Sequence, residues 1–333
     1  MTVRPCSPRL LVVLALLSCL LGPFSRVAAQ EEFADDEAQL ELAALQDERL
    51  LQQPQLDTQT RDQPQGVSPP LPEPRSPVSG TFGFDLRNQY AVYGLVIQGQ
   101  GLTTQPYLNL RYTAVQNADP KQSLNNLTLF LTTWSDFSSN TKLSSPSSPF
   151  RLYTESDLIL GLSATLAQRF NANLTLTSFL SPAGAYGFGS FARGIFLYDD
   201  TNQLARHFAL KPQFTLIYSI PSAANIGLAP GSFLFEPGLT PNITLNTQSR
   251  SPLNVALPLR LGLGNQFFAG STYGYFSLGP QFSLRLPGLS SKMVNTNLNF
   301  GYTYTNLGPT TANFAANKSP SQHAFNLGIT VNF

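Results

Sequence analysis

The chain has 333 residues and a formal net charge of +1, with 20 Lys and Arg against 19 Asp and Glu, 2 His and 2 Cys. It carries no strongly basic tract for nucleic acid, no Gly-rich phosphate loop opening a helix, and no His or Cys cluster spaced for a metal. Catalytic residues, cofactors and metal ligands are therefore expected to be absent, and function is to be sought in the architecture.

Residues 1–29 have the layout of a secretory signal peptide. Arg4 and Arg9 open it, Leu10 to Gly22 is apolar, and Val27-Ala28-Ala29 offers small residues for cleavage. The apolar run of 13 residues is too short to span a bilayer as a helix. Leu16-Leu17-Ser18-Cys19 is a competing signal that resembles the lipobox of bacterial lipoproteins, although the apolar run continues past Cys19. Cys6 and Cys19 both lie in this segment, so a chain cleaved after Ala29 has no thiol, no disulfide and no cysteine-based metal site.

Residues 30–79 are acidic and Gln/Pro-rich, with 11 Asp and Glu against Arg49, Arg61 and Arg75. Asp35 to Gln52 has a short helical pattern with Leu40, Ala44 and Leu51 on one side, and Pro69, Pro70, Pro72, Pro74 and Pro77 favour an extended, solvated linker. This is the composition of a tail and linker. A coiled-coil handle or a peptide that enters a pore are alternatives that the composition leaves open.

From Gly80 onward apolar residues recur at every second position. Leu158, Leu160, Leu162, Ala164 and Leu166 alternate with Ile159, Gly161, Ser163 and Thr165, and Leu253 to Leu263 and Phe276 to Leu286 repeat the pattern. Each run is long enough for a tilted strand to cross a hydrocarbon layer. One face is almost all Leu and aromatic, as fluid lipid permits, and the other is Gly, Ser, Thr, Asn and Arg, as a wet interior permits. Since lipid offers no hydrogen bonds, a sheet of this kind has to close on itself.

The last strand sharpens the reading. His323, Phe325, Leu327, Ile329, Val331 and Phe333 share one face, and Ala324, Asn326, Gly328, Thr330 and Asn332 share the other, up to the terminal residue. An alternating strand closed by Phe resembles the C-terminal signature of Gram-negative outer-membrane β-barrel proteins, including porins. The resemblance implies a cell outer-membrane location, outer-membrane lipid as the surroundings, and the barrel-assembly machinery as a partner that recognises Phe325, Leu327, Ile329, Val331 and Phe333. It also implies an even number of strands with short periplasmic turns.

The fold class expected is an all-β, closed antiparallel up-and-down transmembrane barrel over residues 80–333. Its strands fall near 81–98, 104–113, 125–135, 156–168, 170–180, 186–198, 206–219, 242–249, 253–264, 272–286, 293–305 and 322–333. That makes 12, with 10 or 14 as alternatives. Both termini then lie in the periplasm, and the Ser-rich stretch Asp136 to Phe150, the segment Ile220 to Pro241 and Asn306 to Ser321 lie outside. The strand at 186–198 is irregular in phase, which points to a bulge or a different face assignment.

Arg87, Arg111, Arg169, Lys211, Arg260 and Arg285 fall in inward phase against Asp85 and Asp157, and residues 80–333 hold 14 Lys and Arg against 8 Asp and Glu. A narrow wet channel lined by one sign of charge concentrates counter-ions, so these basic residues predict a channel for passive diffusion of small polar or anionic solutes. The alternative is that the arginines pair with acids and carbonyls to brace a filled, non-conducting barrel that is structural or adhesive through its loops or tail. Ile220 to Pro241 is a candidate constriction or lid in the first case. Tyr107, Tyr112, Trp134, Tyr218, Tyr273, Tyr302 and Tyr304 are candidates for interfacial girdles. Asn126-Leu-Thr, Asn173-Leu-Thr and Asn242-Ile-Thr read as by-products of polar alternation rather than glycosylation sites.

A lipid-modifying outer-membrane enzyme is the remaining alternative. Outer-membrane phospholipases place His and Ser two residues apart on one strand, whereas Ala209 follows His207 and Phe325 follows His323 at that spacing. Glu155 and Asp157 are the nearest thing to a carboxylate pair, and their position at a strand end suggests solvated charges. The expectation is no enzymatic activity; the solute and the oligomeric state are not specified by the sequence.

Overall fold

In the computed structural model the described residues are 77–333 apart from 93–94, 118–121, 141–146, 222–230, 247–248, 250, 269–270, 292–293 and 316–317. The signal, the lipobox-like stretch and most of the acidic tail lie outside them. The backbone forms twelve barrel strands: β1 (Val78–Arg87), β2 (Thr103–Gln116), β3 (Leu124–Ser138), β4 (Tyr153–Leu166), β5 (Phe170–Leu180) and β6 (Gly189–Tyr198). They continue as β7 (Phe208–Ala209 and Gln213–Ser219), β8 (Phe233–Leu239 and Asn242–Leu245), β9 (Leu253–Ala256 and Leu259–Phe268), β10 (Ser271–Leu278 and Gln281–Arg285), β11 (Asn295–Leu307) and β12 (Ser321–Asn332).

Every strand pairs antiparallel with its chain neighbours, and β12 pairs with both β11 and β1, so the sheet closes into a barrel. The closing register runs from Thr81↔Asn332 to Arg87↔Asn326. Pro77 and Phe333 lie at one end, called proximal below, and the strand ends at Arg87, Ser138, Leu180, Ser219 and Leu307 lie at the opposite, distal end.

The alternation seen in the sequence becomes an outside and an inside. Phe82, Phe84, Leu110, Leu131, Leu158, Leu174, Leu216, Phe235, Leu327 and Ile329 stand exposed on the outer wall, while Thr81, Asp85, Asn109, Thr132, Thr175, Thr177, Thr215 and Thr330 are buried on the inner one. Removing a Leu or Phe side chain from water is worth roughly 1.5–3 kcal/mol. An apolar belt of this extent is thus at home in hydrocarbon and not in water.

Four adjacent strands, β7 to β10, are each interrupted next to a proline: Pro212, Pro241, Pro258 and Pro280. Proline has no N–H to give the ladder, so regular pairing lapses at each one. Their carbonyls still accept: Tyr198 N–H donates to Pro212 O (3.0 Å), Leu257 N–H to Pro241 O (2.8 Å) and Tyr302 N–H to Pro280 O (3.0 Å). The breaks at Pro241, Pro258 and Pro280 follow one another across neighbouring strands, so they form a crease through the wall.

Several boundaries differ from the sequence reading. The strand expected at 81–98 ends at Arg87, and Tyr90–Val92 pairs with Leu95–Gln98 as a separate two-stranded hairpin. The strand expected at 242–249 begins instead at Phe233, so the second half of the supposed outer segment 220–241 is wall; residues 222–230 lie outside the described ones. It was hidden because Leu234, on the inner face, is apolar like its neighbours Phe233 and Phe235, and because Pro237-Gly238 resembles a loop. Asp136 to Ser138, taken with the Ser-rich loop, completes β3. In β6 the irregular phase is a face assignment: Phe191, Arg193 and Ile195 are buried inward. A short helix, α1 (Pro309–Phe314), follows Gly308 with proline at its first turn.

Candidate functional site: the barrel lumen

The distal half of the lumen is filled. Tyr107, Trp134, Ile159, Phe179, Phe191, Ile217, Leu234, Tyr275 and Leu307, drawn from nine different strands, form one buried apolar cluster. Tyr90 and Ile97 of the distal hairpin, Tyr186 of the β5–β6 connection, and Ala312 and Ala315 of α1 and its end join the same cluster. Tyr107 and Trp134 are therefore lumen side chains and not girdle residues. Tyr112 does stand exposed on the outer wall, and Tyr302 and Tyr304 gather around His323 there, with Tyr302 Oη 2.7 Å from His323 Nδ1.

Cross-strand glycines make room for the large inward rings. Tyr107 lies opposite Gly83, Phe130 opposite Gly161, Phe179 opposite Gly189 and Tyr275 opposite Gly262. A Cβ at Gly161 would sit 2.1 Å from the Phe130 ring, and one at Gly262 would sit 2.2 Å from that of Tyr275. Each ring thus lies flat across its neighbour's backbone, a contact that aromatic–glycine pairs provide in sheets.

The hairpin is held by ring packing and by side-chain hydrogen bonds. Tyr90 packs on Trp134 at 5.7 Å between ring centroids, and its hydroxyl donates to Glu155 Oε2 (3.2 Å). Gln89 Nε2 donates to Gln322 Oε1 (2.6 Å), Asn88 Nδ2 to His323 O (3.2 Å), and Phe325 N–H to Asn88 Oδ1 (2.6 Å). Tyr186 faces Glu155 from the other side; burial, reinforced by that carboxylate, pushes its phenol well above the usual range.

Charges in this lumen come as both signs. Arg260 Nε pairs with Glu236 Oε1 at 3.3 Å with both side chains almost fully buried. The Tyr275 hydroxyl donates to the other Glu236 oxygen, and Arg260 Nη1 also donates to Leu259 O (3.1 Å) and Thr240 Oγ1 (3.2 Å). On β3 and β4, Asp136 stands opposite Glu155 and Trp134 opposite Asp157. All three acids are buried, contrary to the solvated strand end expected for Glu155 and Asp157. Asp136 accepts from Gln105 Nε2 (2.9 Å) and from the Thr154 hydroxyl, and Arg87 acts on it electrostatically.

The other basic residues lie nearer the proximal end. Arg111 donates from Nε to Asn109 Oδ1 (2.7 Å), and Arg285, the last residue of β10, sits opposite Asn297. Arg169 is in the β4–β5 turn and donates to Asp199 O (2.9 Å), and Lys211 lies at the break in β7 with its N–H on Asp200 Oδ1 (2.8 Å). So Arg87, Arg111, Arg260 and Arg285 are on inward strand positions, while Arg169 lies in a turn and Lys211 at the break within β7. Among the described residues the inward wall also holds Arg193 and the acids Asp85, Asp136, Glu155, Asp157 and Glu236, which offsets the basic surplus expected from the sequence.

Between these clusters runs a lining of Asn and Thr, many of them joined in side-chain pairs. Asn109 donates to Thr132 (2.5 Å), Thr165 to Asn171 (2.9 Å), Thr244 to Asn254 (2.6 Å), Asn299 to Thr330 (2.8 Å) and Thr81 to Asn332 (2.9 Å). Thr128 donates to Asn126 two residues away (2.9 Å), as expected where both lie on one face. At the C-terminus Phe325, Leu327, Ile329 and Phe333 are exposed on the outer wall with Val331 between them in phase, and Phe333 exchanges N–H···O bonds with Gly80 (2.9 and 2.7 Å).

The closed ring of strands, the apolar outer belt and the polar inner face define a β-barrel of the outer-membrane class. No family model matches the chain, and no curated protein matches it in sequence. Among solved structures it is similar to the β domain of a Bordetella autotransporter (10% identity, 76% of this chain and 97% of that one, TM-score 0.40). It is also similar to an outer-membrane channel from Pseudomonas putida (12% identity, 80% and 100%, TM-score 0.42) and to LpxR from Salmonella typhimurium (9% identity, 75% and 99%, TM-score 0.41).

Proposed function

We propose that this is an outer-membrane barrel closed to solutes at rest, acting through its exposed ends rather than as an open diffusion pore. The observation that carries this reading is the apolar cluster that joins side chains from nine strands with the distal hairpin, the β5–β6 connection and α1. In this reading the large inward side chains occupy the lumen and leave a hydrated ion no passage, as in small barrels whose interior is filled by side chains. The balance of inward acids and arginines fits the same reading, because charges that neutralise one another brace a wall and do not select ions. In this proposal the proximal end faces the periplasm and the distal connections face outward, following the short-turn rule for such barrels.

A second reading is a channel for small polar or anionic solutes that opens when the hairpin withdraws. It is favoured by the contrast between the apolar distal half and the Asn-, Thr- and Arg-lined proximal half. Planar-bilayer recording separates the readings. Full-length barrels should give no steady conductance, and a variant with residues 88–102 replaced by a short turn should conduct. Steady conductance from the unaltered protein, with an anion bias that shrinks on Arg111→Gln and Arg285→Gln, would overturn the closed barrel in favour of the passive channel.

A further inference from the structure

We propose that α1 is the movable stopper of the lumen: it undocks by itself and opens the distal end while the hairpin (Tyr90–Val92 with Leu95–Gln98) stays seated. This rests on the closed barrel proposed above and adds which part of the plug gives way. Three pieces of chain reach the apolar cluster from the distal end, and they are fastened differently. The hairpin is bolted to the wall by the Gln89–Gln322 and Asn88–Phe325 bonds and by Tyr90 on Trp134 and Glu155. The β5–β6 connection is tied by Ala183 N–H to Tyr153 O (2.8 Å) and by Ala185 N–H to Ser181 Oγ (3.1 Å).

α1 is held mainly by being covered. No side chain caps its first turn, and its backbone bonds stay within its own connection. Ala312 N–H donates to Gly308 O (2.8 Å), Ala315 N–H to Ala312 O (3.2 Å) and Lys318 N–H to Ala315 O (2.8 Å). Of its described side chains, Ala312 and its end residue Ala315 join the cluster, and alanines bury little apolar area. A helix of 6 residues has no stability of its own in water, so docking against β10, β11 and Leu95–Gln98 keeps it folded. The base of the connection is pinned, by Leu307 N–H to Pro320 O (2.7 Å) and Gly308 N–H to Gly274 O (2.7 Å). α1 is thus an unbolted tip on a fixed base.

Its docking is also opposed from within. Thr310 Oγ1 and Thr311 Oγ1 are shut away from solvent with no hydrogen-bond partner. An unpaired buried hydroxyl is unfavourable, and the penalty is relieved once the group meets water. Thr175 and Thr177 of β5 are in the same state, but ladders on both sides hold that strand, so they reach water only if the wall breaks. α1 has only to swing out. Local opening at α1 is therefore the least costly event in the plug.

The test uses the full chain with Cys6→Ser and Cys19→Ser, refolded in detergent, carrying either Thr311→Cys or Ile97→Cys, both at buried positions. Reaction with a small sulfonated maleimide, scaled to the rate in denaturant, should be about tenfold faster at Thr311→Cys. In an Ala315→Cys background, Thr311→Val replaces the unpaired hydroxyl by a methyl and should slow labelling severalfold. Gln89→Ala cuts the bond to Gln322 and should quicken Ile97→Cys while leaving Ala315→Cys unchanged. Planar-bilayer recording reads the gate itself. Labelled Thr311→Cys, whose sulfonate cannot return to the apolar cluster, should conduct, and the same barrel before labelling should not. Equal labelling at Thr311→Cys and Ile97→Cys, joint quickening by Gln89→Ala, or a labelled barrel that stays silent would overturn the proposal. Steady conductance from the unlabelled chain would instead overturn the closed barrel on which it rests.

Discussion

Glu236 of β8 and Arg260 of β9 form an ion pair (3.3 Å) inside the barrel wall, with the Tyr275 hydroxyl on the same carboxylate. Breaking such a pair from one side leaves the other charge buried and unmatched, which costs about 3–5 kcal/mol. Arg260→Ala should therefore lower the denaturation midpoint strongly, read as the heat-modifiable gel shift against denaturant. Arg260→Met with Glu236→Leu should restore most of the loss. Equal losses in the single and double variants would show that packing, not the charge left behind, matters here.

Gly262 is a stricter position. An added methyl meets the Tyr275 ring at 2.2 Å, so Gly262→Ala should destabilise by roughly 1–3 kcal/mol, the range for overpacking. Tyr275→Phe keeps the ring and removes only its bond to Glu236, so it should not relieve Gly262→Ala. Tyr275→Ala in the Gly262→Ala background should cost less than the two single losses added together. Strict additivity would mean that the ring does not press on the glycine.

Trp134 is the protein's single tryptophan, and it is buried under Tyr90. Its emission should be blue-shifted and poorly quenched by acrylamide in the folded barrel. Tyr90→Ala removes the covering ring and the bond to Glu155, so quenching should rise several-fold without loss of the folded gel form. Unchanged quenching would place the seal below the hairpin.

Tyr186 supplies a pH signature. Its phenol is raised well above the usual range by burial and by Glu155, so the folded state binds the proton more tightly than the unfolded chain does. The stability it contributes is complete below the unfolded tyrosine pKa of about 10 and declines as pH rises above it. Denaturation midpoints measured across that alkaline window should fall, and Tyr186→Phe should flatten the fall.

How much of this could be read in the sequence depended on which side of the wall a residue faced. The outer face was legible because lipid accepts only apolar side chains, so Leu158 to Leu166 and Phe325 to Phe333 announced their strands, and twelve strands are what the barrel has. The inner face obeys no such rule: Phe191, Ile195, Leu234 and Tyr275 point inward and blurred the alternation. Asp136 and Glu236 were assigned to loops because Ser-rich and Pro-Gly neighbours surround them. Arg260 was found by phase, yet its partner lay in a segment not recognised as strand. The plug depends on residues far apart in sequence, such as Gln89 and Gln322, and no local pattern reports their meeting.

Closure joins Thr81 to Asn332, 251 positions apart, through both the ladder and a side-chain bond. Every other seam in the barrel is a hairpin between chain neighbours, so this one must wait for the last strand to be delivered. Until then β1 and the growing sheet present raw edges, the feature by which strands aggregate, and distant pairing of this kind is slow. Time is therefore a constraint on this protein. A chain stalled or clipped before Ser321 is not a slightly weakened barrel but an open sheet with two sticky sides.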